Sequence, residues 1–372
     1  MNILSNQLID LQKQEKPSGG YEWWYFDAIS SCKTWSVVLI FYEGNPFSPH
    51  YHGALQNPRS EDVPGPLPQE YPAVTLSLYK KGQPIYYSFQ ELEPQACTID
   101  TSMQTHQVHL TFGPHTLLLV RDRKEYRVEI QLDDKLPNGD SLQGHLRYSS
   151  ALKEPVRSHI GSSQDSLGAH SWILCMESAQ VHAELQLGGS KAINLSFEGQ
   201  GYHDHNVGME PMHKSFSDWH WGRAHFEDGS FLLYYVMSQL EGAITGGAWI
   251  SNALEGSVQF TQDVLITPFL NRSFFGLKNL KSLHITAENE SILEVQRQTL
   301  SDNGPFYQRF HTKVTWGGDS AIGIGEYIVP SRIVHKSTWP LIRLRLRKAG
   351  HPPSWVQKSR FFYDLTWRST FW

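Results

Sequence analysis

Residues 201–237 read GYHDHNVGMEPMHKSFSDWHWGRAHFEDGSFLLYYVM, and titratable and aromatic residues are denser here than elsewhere in the chain. Asp228-Gly229, between a tryptophan-bearing segment and an apolar segment, is a strong signal for a β-hairpin. Glycines recur through the stretch and indicate tight backbone geometry, at Gly201, Gly208, Gly222 and Gly229. The stretch therefore predicts antiparallel strands, and we expect any chemistry to be centred on it.

The same strand pattern extends along the rest of the chain. Short β-branched and aromatic segments recur at intervals of roughly ten residues, separated by turn sequences such as 81–84 and 137–140. Residues 126–131 alternate between apolar and polar side chains, as a strand with one buried face does. Helical periodicity is almost absent. The sequence predicts an all-β protein of antiparallel hairpins, either a barrel or a sandwich.

Chain length and an internal repeat favour two related domains. The 372 residues suffice for two domains. The polar, serine-rich segment 150–170 predicts the boundary, giving an N-terminal domain of residues 1–170 and a C-terminal domain of residues 171–372. Trp23-Trp24 precedes an apolar strand in the first half, much as Trp219-His220-Trp221 does in the second.

Two segments outside the strands are also interpreted from composition. Residues 1–18 predict a short helix or a loose arm. Residues 43–72 are rich in Pro, Gly and His and predict a long loop, a candidate lid over a pocket. The second His-x-His of the chain, His50-Tyr51-His52, is interpreted as part of this solvated loop.

Charge and cysteine content exclude several classes of protein. The net charge is −5; residues 331–372 hold nine Lys/Arg and one acidic residue, a balance of +8, so the rest of the chain carries −13. This acidic body argues against nucleic acid as the main partner. Three widely spaced cysteines predict reduced packing residues of a cytoplasmic protein. Met1–Lys16 lacks the apolar core of a signal peptide, and no apolar run reaches the roughly 18 residues of a membrane span.

The basic C-terminal region allows two interpretations. Residues 341–347 (LIRLRLR) alternate strictly, which predicts a strand with three arginines on one face. This face is either a solvated surface or, because tryptophans flank it, a peripheral membrane-contact surface. Aromatic residues make up 12% of the chain, an excess that also suits a pocket for a hydrophobic small molecule.

His203-Asp204-His205 allows three roles. In an extended segment His203 and His205 share one face and Asp204 points the other way. The histidines could bind a metal, but structural metal sites normally need three or four ligands, so no metal is assigned. Asp204 could serve acid chemistry or polar recognition, or it could hold a turn through hydrogen bonds to nearby backbone.

Trp219-His220-Trp221-Gly222-Arg223 is the second candidate. Trp219, Trp221 and Arg223 are predicted on one face of a strand, with His220 opposite. Arg223 could stack on the rings or pair with Glu22 or Asp204 in the interior; the alternative is a core of tryptophans with a paired arginine.

Tyr234 and Tyr235 complete the candidate residues, since adjacent positions place one hydroxyl on each face of a strand. Known cofactor and nucleophile signatures are missing: the sequence has no phosphate-binding loop, dinucleotide-binding glycine fingerprint, Gly-x-Ser-x-Gly or His-Glu-x-x-His motif. An organic cofactor is therefore not indicated.

Four motifs in this order resemble the carotenoid 1,2-hydratase (hydroxyneurosporene synthase-like) family, which is similar to the lipocalin-like fungal Diels–Alderases. The motifs span most of the chain: Glu22-Trp23-Trp24-Tyr25-Phe26, Gly201-Tyr202-His203-Asp204-His205-Asn206-x-Gly208-x-Glu210-Pro211, Trp219-x-Trp221-Gly222-Arg223 and Gly323-x-Gly325-Glu326-Tyr327. The resemblance implies two tandem lipocalin-like β-barrel domains with a hydrophobic site in or between them. It also implies cofactor-free chemistry on a polyene or isoprenoid.

One departure from the family pattern bears on the reaction. The resemblance implies a catalytic aspartate close after the tyrosine that matches Tyr234, but Tyr235 and Val236 follow here. Asp204 is the nearest replacement acid in sequence.

Three functions follow. In a hydratase or proton-initiated cyclase, Asp204 protonates an alkene, and tryptophan faces hold the cation. In a pericyclase, the pocket folds a polyene, and donors such as Tyr202, His220 or Arg223 polarise a carbonyl. A lipophile carrier, the third class, needs no ionisable cluster. The candidate catalytic residues are Asp204, His203, His205, Tyr234 and Arg223, and the candidate substrate-binding residues are Trp23, Trp24, Tyr202, Trp219, His220, Trp221 and Tyr235.

Overall fold

The computed structural model describes residues 2–57, 65–102, 106–152, 156–157, 169–252, 257–261, 265–272, 276–287 and 290–367. Strands dominate these residues and form two sheets, which confirms the predicted all-β class. The chain divides into two compact units, of which the first contains residues 1–80, 85–212 and 339–366. The second unit contains residues 81–84, 213–338 and 367–372.

The first unit holds a 14-stranded sheet. Its strands are β1 (Asn2–Ser5), β2 (Tyr21–Ser30), β3 (Trp35–Glu43), β4 (Ala73–Lys80), β5 (Gln83–Glu91), β6 (Cys97–Ser102), β7 (Gln107–Phe112), β8 (His115–Arg121), β9 (Glu125–Lys135), β10 (Ser141–Ala151), β11 (Val156–Arg157), β12 (His170–Gly188), β13 (Ile193–Gly208) and, from the C-terminal region, β23 (Leu346–Lys348). Neighbours follow the order β23-β5-β4-β3-β2-β13-β12-β10-β9-β8-β7-β6. Most pairs are antiparallel, whereas β1 runs parallel to β12 and β23 parallel to β5.

The second unit holds a nine-stranded sheet in the order β17-β16-β15-β14-β22-β21-β20-β19-β18. Its strands are β14 (Asp218–His225), β15 (Phe231–Ser238), β16 (Ile244–Asn252), β17 (Ser257–Thr261), β18 (Leu265–Arg272), β19 (Lys278–Ala287), β20 (Glu290–Asn303), β21 (Tyr307–Trp316) and β22 (Asp319–Ile328). β14 and β15 form the predicted hairpin, and Gly229 in its turn has a φ of 88°, a value that favours glycine.

The burial pattern distinguishes outer strands from central ones. β9 alternates between buried and more exposed side chains, as its sequence predicts. By contrast, every residue of β2, of β14 and of the 201–208 half of β13 is buried, so both faces of these strands are covered. The candidate residues lie on these doubly covered strands, except Tyr234 and Tyr235, which are buried on β15.

Within the described ranges helices are few and short: α1 (Pro49–Gln56), α2 (Met212–Ser215), α3 (Ser331–Val334), α4 (Trp339–Arg345), α5 (Trp355–Lys358) and α6 (Arg360–Trp367). Among the described residues, no helix is long and apolar enough to cross a bilayer.

The division of the units differs from the predicted boundary at residue 170. β12 and most of β13 lie beyond that residue but join the first sheet, so the two compact units separate between residues 212 and 213. Residues 339–366 also return to the first unit. Much of the serine-rich segment 150–170 lies outside the described residues.

Two segments predicted as loose are ordered. The N-terminal arm forms β1 and a 3₁₀ turn at Ile9–Leu11, where Asp10 is buried. Residues 49–56 form helix α1 instead of a solvated loop: Tyr51 and His52 are buried, and His50 Nδ1 lies 2.5 Å from Glu91 Oε2. Ser48 caps α1 by accepting hydrogen bonds from the backbone N–H groups of its first turn.

The predicted strand over 341–347 is wrong, because most of this segment forms α4. Its arginines do not share a solvated face: Arg345 is buried, and Arg347 donates hydrogen bonds to Asp134 Oδ1 (2.9 Å) and Ser88 Oγ (2.6 Å). The membrane-contact interpretation required all three arginines on one exposed face. Because Arg345 and Arg347 are engaged in the interior contacts above, that interpretation is not supported.

Candidate functional site

The pairing of β13 with β2 places the first group of candidates. His203 lies opposite Phe26, Asp204 opposite Tyr25 and His205 opposite Trp24. Because side chains alternate along a strand, the two histidines share one face of the sheet and Asp204 lies on the other, as predicted.

Three donors surround the Asp204 carboxylate, which is 3% exposed. Tyr202 Oη and Trp172 Nε1 each donate to Oδ2 over 2.8 Å, and Asn206 Nδ2 donates to Oδ1 over 2.6 Å. Asp204 is therefore a buried carboxylate fixed in one orientation by neutral groups. Neutral donors of this kind stabilise the charged form of a carboxyl group.

Aromatic rings line the Asp204 face of these strands. The Tyr25 and Tyr202 rings meet edge to face with centroids 6.1 Å apart, and Trp23 stacks on Tyr21 at 5.3 Å. Rings of this kind present negative faces to a cation. The face thus combines a carboxylate with surfaces that can stabilise positive charge.

The opposite face of β13 holds a buried ionic cluster centred on Asp10. His203 Nε2 lies 2.7 Å from Asp10 Oδ2, and His205 Nδ1 lies 3.0 Å from Asp10 Oδ1. Tyr126 Oη donates a further hydrogen bond to Asp10 Oδ2. The remaining ring nitrogens are also engaged: His203 Nδ1–H donates to the carbonyl of Tyr25 (2.9 Å), and His205 Nε2 lies 2.6 Å from a carboxylate oxygen of Glu22.

Lys16 extends this cluster. Its ammonium group pairs with Glu22 and lies 2.6 Å from Glu43 Oε2. Burial would lower the pKa of Lys16, but the two carboxylates outweigh burial and hold its pKa above the ordinary value. The N-terminal arm therefore supplies both an anion, Asp10, and a cation, Lys16, to the interior of the first unit.

The charges in the cluster balance as pairs. Burial favours neutral His205, yet hydrogen bonds and charge from Asp10 and Glu22 raise its pKa to about 9. Burial likewise opposes ionised Asp10, but the two histidines lower its pKa overall. Without a bound cation, the structure is consistent with a positive His205 between the carboxylates of Asp10 and Glu22, which makes this face an unsuitable surface for an apolar substrate.

Cys175 adjoins the same cluster. Its sulfur, a carboxylate oxygen of Asp10 and a ring nitrogen of His203 all lie within 4.8 Å of one another, and all three residues are buried. Burial raises the pKa of the Cys175 thiol. Thiol, imidazole and carboxylate are the donor types that transition metals take, so these residues are the candidates for holding a metal.

In the second unit, the pairing of β14 with β22 places Trp221 opposite Glu326. Trp221 Nε1 donates to Glu326 Oε2 (3.2 Å), and Arg309 Nε donates to Glu326 Oε1 (2.8 Å). Arg223 donates to His225 Nδ1 over 2.7 Å. Trp219, Trp221 and Arg223 alternate onto this face as predicted, so the second unit also has a buried polar and aromatic surface.

Tyr234 and His220 occupy the other face of that sheet. His220 stacks on Tyr327 with ring centroids 3.9 Å apart, and burial lowers its pKa to about 3. The Tyr234 hydroxyl is buried and has no hydrogen-bond partner within the described residues. Gly222 gives the Tyr234 ring its space, since a Cβ there would lie 2.4 Å from the Tyr234 oxygen. Burial raises the pKa of Tyr234, whose hydroxyl is therefore a neutral donor.

The structure thus divides the predicted site residues into four surfaces. Asp204, Tyr202 and Trp23 share one face of the first sheet, and His203, His205 and Trp24 share the other; Trp24 stacks on His205 at 4.8 Å. In the second sheet, the face of Trp219, Trp221, Arg223 and Tyr235 is opposite that of His220 and Tyr234. The sequence analysis names His203, Asp204 and His205 all as catalytic candidates and predicts the opposite face for Asp204, which is where the structure places it.

Several residues of these surfaces were missed from the sequence. Asp10 and Lys16 lie in a polar arm with no motif. Asp10 contacts His203, which is 193 positions away, and Lys16 contacts Glu22, which is six positions away. Trp172 resembles any strand tryptophan. Glu326 lies in the quoted motif at 323–327, but the sequence did not connect it with Trp221.

A groove of about 610 Å³ also occurs on the outer surface of the first sheet. It is lined by β9, β10, β12 and β13, with side chains such as Gln131, Gln143 and Gln186. None of the candidate residues lines it, so it is not assigned to the site.

Comparison with known families finds one match over most of the chain. The sequence profile described as carotenoid hydratase CrtC matches residues 39–352. A protein of Chlorobaculum tepidum named hydroxyneurosporene dehydrogenase is 28% identical, over 97% of this chain and 96% of its own length. An acyclic carotenoid 1,2-hydratase of Rubrivivax gelatinosus is 26% identical over 61% of this chain, which spans only half the length of that relative.

Solved structures share the fold at low identity. A crystal structure described as CghA with Sch210972 superposes with a TM-score of 0.59, covering 84% of this chain and 89% of the other at 12% identity. The two tandem lipocalin-like domains expected from the resemblance are confirmed by this likeness.

Proposed function

Because the chain belongs to the carotenoid hydratase CrtC family, we propose that it is an enzyme that acts on a carbon–carbon double bond of a hydrophobic polyene or isoprenoid. The proposed reaction is proton-initiated hydration or cyclisation without an organic cofactor. The enzyme is accordingly of lyase or isomerase type.

The observation that carries this proposal is the environment of Asp204. Its carboxyl group lies among aromatic side chains, with Tyr202, Trp172 and Asn206 as hydrogen-bond donors. An acid that protonates an alkene leaves a carboxylate, and these donors stabilise that product. The rings beside it suit the carbocation that forms at the same time. Asp27 lies on the same face and accepts a hydrogen bond from Tyr25 Oη (3.1 Å); we assign the acid to Asp204 because it accepts from three neutral donors.

The proposed reaction begins with proton transfer from Asp204 to the substrate. Protonated Asp204 transfers its proton to one alkene carbon, and the π electrons form the new C–H bond, leaving a tertiary cation. In hydration, water forms the C–O bond and returns a proton to the Asp204 carboxylate. In cyclisation, a second double bond of the substrate forms a C–C bond instead, and the new cation loses a proton to regenerate the acid.

The other predicted residues keep narrower roles in this proposal. Trp23 and Tyr202 share the Asp204 face and are assigned to the substrate. His203, His205 and Trp24 lie on the opposite face, and we assign them no contact with the reacting atoms. In the second unit, Trp219, Trp221, Tyr235 and Arg223 stay candidates for substrate contact, and His220 and Tyr234 for a separate surface.

A pericyclic reaction is the second candidate, and Val236 favours it. The family resemblance implies an acid close after Tyr234, but Val236 is buried within the apolar core of the second unit. A reaction that moves no proton requires no acid there.

An Asp204→Asn variant separates the two reactions. Asparagine conserves the shape, and its Nδ2 can donate to Asn206 if the Asn206 amide turns, since Asn206 Oδ1 has no hydrogen-bond partner within the described residues. We expect a folded variant whose turnover of an acyclic carotenoid falls by at least about 10²-fold. Turnover is measured by mass spectrometry in H₂¹⁸O and in D₂O, where hydration incorporates solvent oxygen and one deuterium.

Asp133→Asn, a change outside the site, is the matched control and should leave turnover unchanged. An Asp204→Asn enzyme with wild-type rate and a product without solvent label contradicts the proton-initiated reaction and supports the pericyclic one. If the wild-type chain binds the polyene but does not convert it, both reactions are contradicted, and the result supports the function of a lipophile carrier.

A further inference from the structure

Two buried histidines present nitrogen atoms to one carboxylate, and their tautomers are constrained from the other side. His203 Nδ1 lies 2.9 Å from the Tyr25 carbonyl oxygen, which can only accept, so Nδ1 carries the hydrogen. His205 Nε2 lies 2.6 Å from the Glu22 carboxylate and donates in the same way. The nitrogens that remain, His203 Nε2 and His205 Nδ1, both point at Asp10.

This arrangement requires positive charge at one point. A neutral imidazole whose other nitrogen is protonated offers only a lone pair, which a carboxylate oxygen repels. Either each ring takes up a second proton or a cation binds between the rings and Asp10. A single divalent metal ion can take the place of the two protons.

The fixed outer nitrogens match the usual support of metal-bound histidines. Such a histidine almost always donates its second N–H to a backbone carbonyl or a carboxylate, which sets its tautomer and orientation. His203 uses the Tyr25 carbonyl and His205 uses Glu22, one example of each kind. Lys16 then holds Glu22 in place.

A fourth donor is brought to the cluster by an irregularity in β12. The register between β12 and β13 shifts between Leu174 and Met176, so Cys175 is the extra residue of a β-bulge. Bulges redirect a side chain out of the regular alternation. Here the Cys175 sulfur lies within 4.8 Å of the donor atoms of Asp10 and His203.

Two buried polar atoms without a good hydrogen bond also lie in this cluster. Asp10 Oδ1 and His205 Nδ1 lie 3.0 Å apart, yet neither makes a hydrogen bond of good geometry within the described residues, and both are fully buried. Two ligands of a tetrahedral ion lie about 3.4 Å apart, so small shifts of these side chains would admit one.

We propose that Asp10, Cys175, His203 and His205 form a structural transition-metal site inside the first unit, with a donor set suited to Zn²⁺. Asp10, Cys175 and His203 already hold donor atoms within 4.8 Å of one another. His205, which contacts Asp10, shifts toward the ion as the fourth ligand, so that two imidazoles, one thiolate and one carboxylate complete a tetrahedral shell. The ion ties the N-terminal arm to β12 and β13. The site lies on the face of β13 opposite Asp204 and takes no part in the proposed reaction. It differs from the expectation, drawn from sequence, of no metal.

Metal content of the wild-type chain tests the site directly. The protein is produced in medium supplemented with zinc, purified without chelator and analysed by inductively coupled plasma mass spectrometry for all first-row metals. We expect one zinc ion per chain. A folded wild-type chain with less than about a tenth of an equivalent of any transition metal overturns the proposal and leaves two protonated histidines.

Cobalt identifies the ligands. Refolding the full chain with Co²⁺ is expected to produce a near-ultraviolet sulfur-to-cobalt charge-transfer band and the intense visible bands of a tetrahedral site. Cys175→Ser should abolish the charge-transfer band. Cys32→Ser, a change at an exposed cysteine outside the cluster, is the matched control and should keep both. A charge-transfer band that survives in Cys175→Ser and disappears in Cys32→Ser contradicts the assignment.

The readouts are independent of the proposed function. If Asp204→Asn loses turnover but keeps its full zinc content, both proposals are supported independently. If the wild-type protein contains no zinc but has hydratase activity, only the proposal of a metal site is contradicted.

Discussion

At the scale of single residues, the face of a strand decides what a side chain can do. His203, Asp204 and His205 are consecutive candidates for catalysis, and alternation places Asp204 on the face opposite the two histidines, as predicted. Asp204 faces neutral donors and rings, whereas each histidine faces carboxylates. The neighbours on each face, and not the position in the motif, therefore set the electrostatic environment of these side chains.

Tyr234 offers a test at this scale, because its buried hydroxyl has no partner within the described residues. Leaving a buried polar group unpaired costs roughly 1–3 kcal/mol. We expect Tyr234→Phe to raise the free energy of unfolding by about 1 kcal/mol, measured by urea denaturation, and to lower turnover if the hydroxyl contacts substrate.

A decrease in the free energy of unfolding of Tyr234→Phe would contradict this expectation. A variant less stable than the wild type would mean that the hydroxyl has a partner, such as an ordered water, in solution. Tyr327→Phe, another buried tyrosine of the same sheet, serves for comparison.

At the scale of elements, residues 339–348 show how packing overrides a pattern. Apolar and basic residues alternate over 342–347 as in a strand. The buried residues of α4, however, are Trp339, Ile342 and Arg345, which are three positions apart and lie on one side of the helix. The sequence pattern failed because Arg345 was counted as polar and exposed, whereas it lies over the Tyr87 ring at 5.8 Å.

Arg347 and Arg343 should therefore respond differently to substitution. Burial opposes ionised Asp134, but Arg347 with nearby hydrogen bonds lowers its pKa, so the pair is charged. Arg347→Ala leaves Asp134 buried without its cation and should lower the free energy of unfolding by about 3 kcal/mol. Arg343→Ala, at an exposed position, should change it by less than about 0.5 kcal/mol.

Both values come from urea denaturation of the two variants beside the wild type. Equal losses in the two variants would contradict the different environments of these arginines. A wild-type chain that binds anionic vesicles, and loses this binding in Arg343→Ala, would restore the membrane interpretation.

At the scale of the whole molecule, both units bury histidines that burial keeps neutral. The pKa is lowered to about 3 for His170 in the first unit and for His220 in the second, and to about 4 for His311 in the second. Each of these pKa values lies below the unfolded value of about 6.5. At a pH between the two values, the histidine is therefore protonated in the unfolded chain and neutral in the folded chain.

Stability should accordingly fall as pH drops below about 6.5, by about 1.4 kcal/mol per pH unit for each such histidine until its folded pKa is reached. His220→Phe preserves an aromatic ring against Tyr327 and removes one of these groups. Between pH 7 and pH 5.5 the variant should lose about 1 kcal/mol less than the wild type in urea denaturation. Parallel losses in both proteins would mean that His220 titrates normally when folded.

Most of the local structure could be predicted from the sequence by itself. The alternation of 126–131, the Asp228-Gly229 hairpin and the faces of residues 203–205 and 219–223 follow from the period of two and from turn chemistry, which act over a few residues. The family motifs also lie in consecutive residues, so the fold class and family followed from them.

Only the tertiary structure decided which residues meet. Asp10 reaches His203 across 193 positions, Trp172 reaches Asp204 across 32, and Arg347 reaches Asp134 across 213. The division of the units between residues 212 and 213, the helix at 339–345 and the bulge at Cys175 also depend on such contacts. A local sequence pattern determines the face of the strand on which a side chain lies. The packing of segments distant in sequence determines which groups that side chain contacts, and these contacts set its charge state and its ligands.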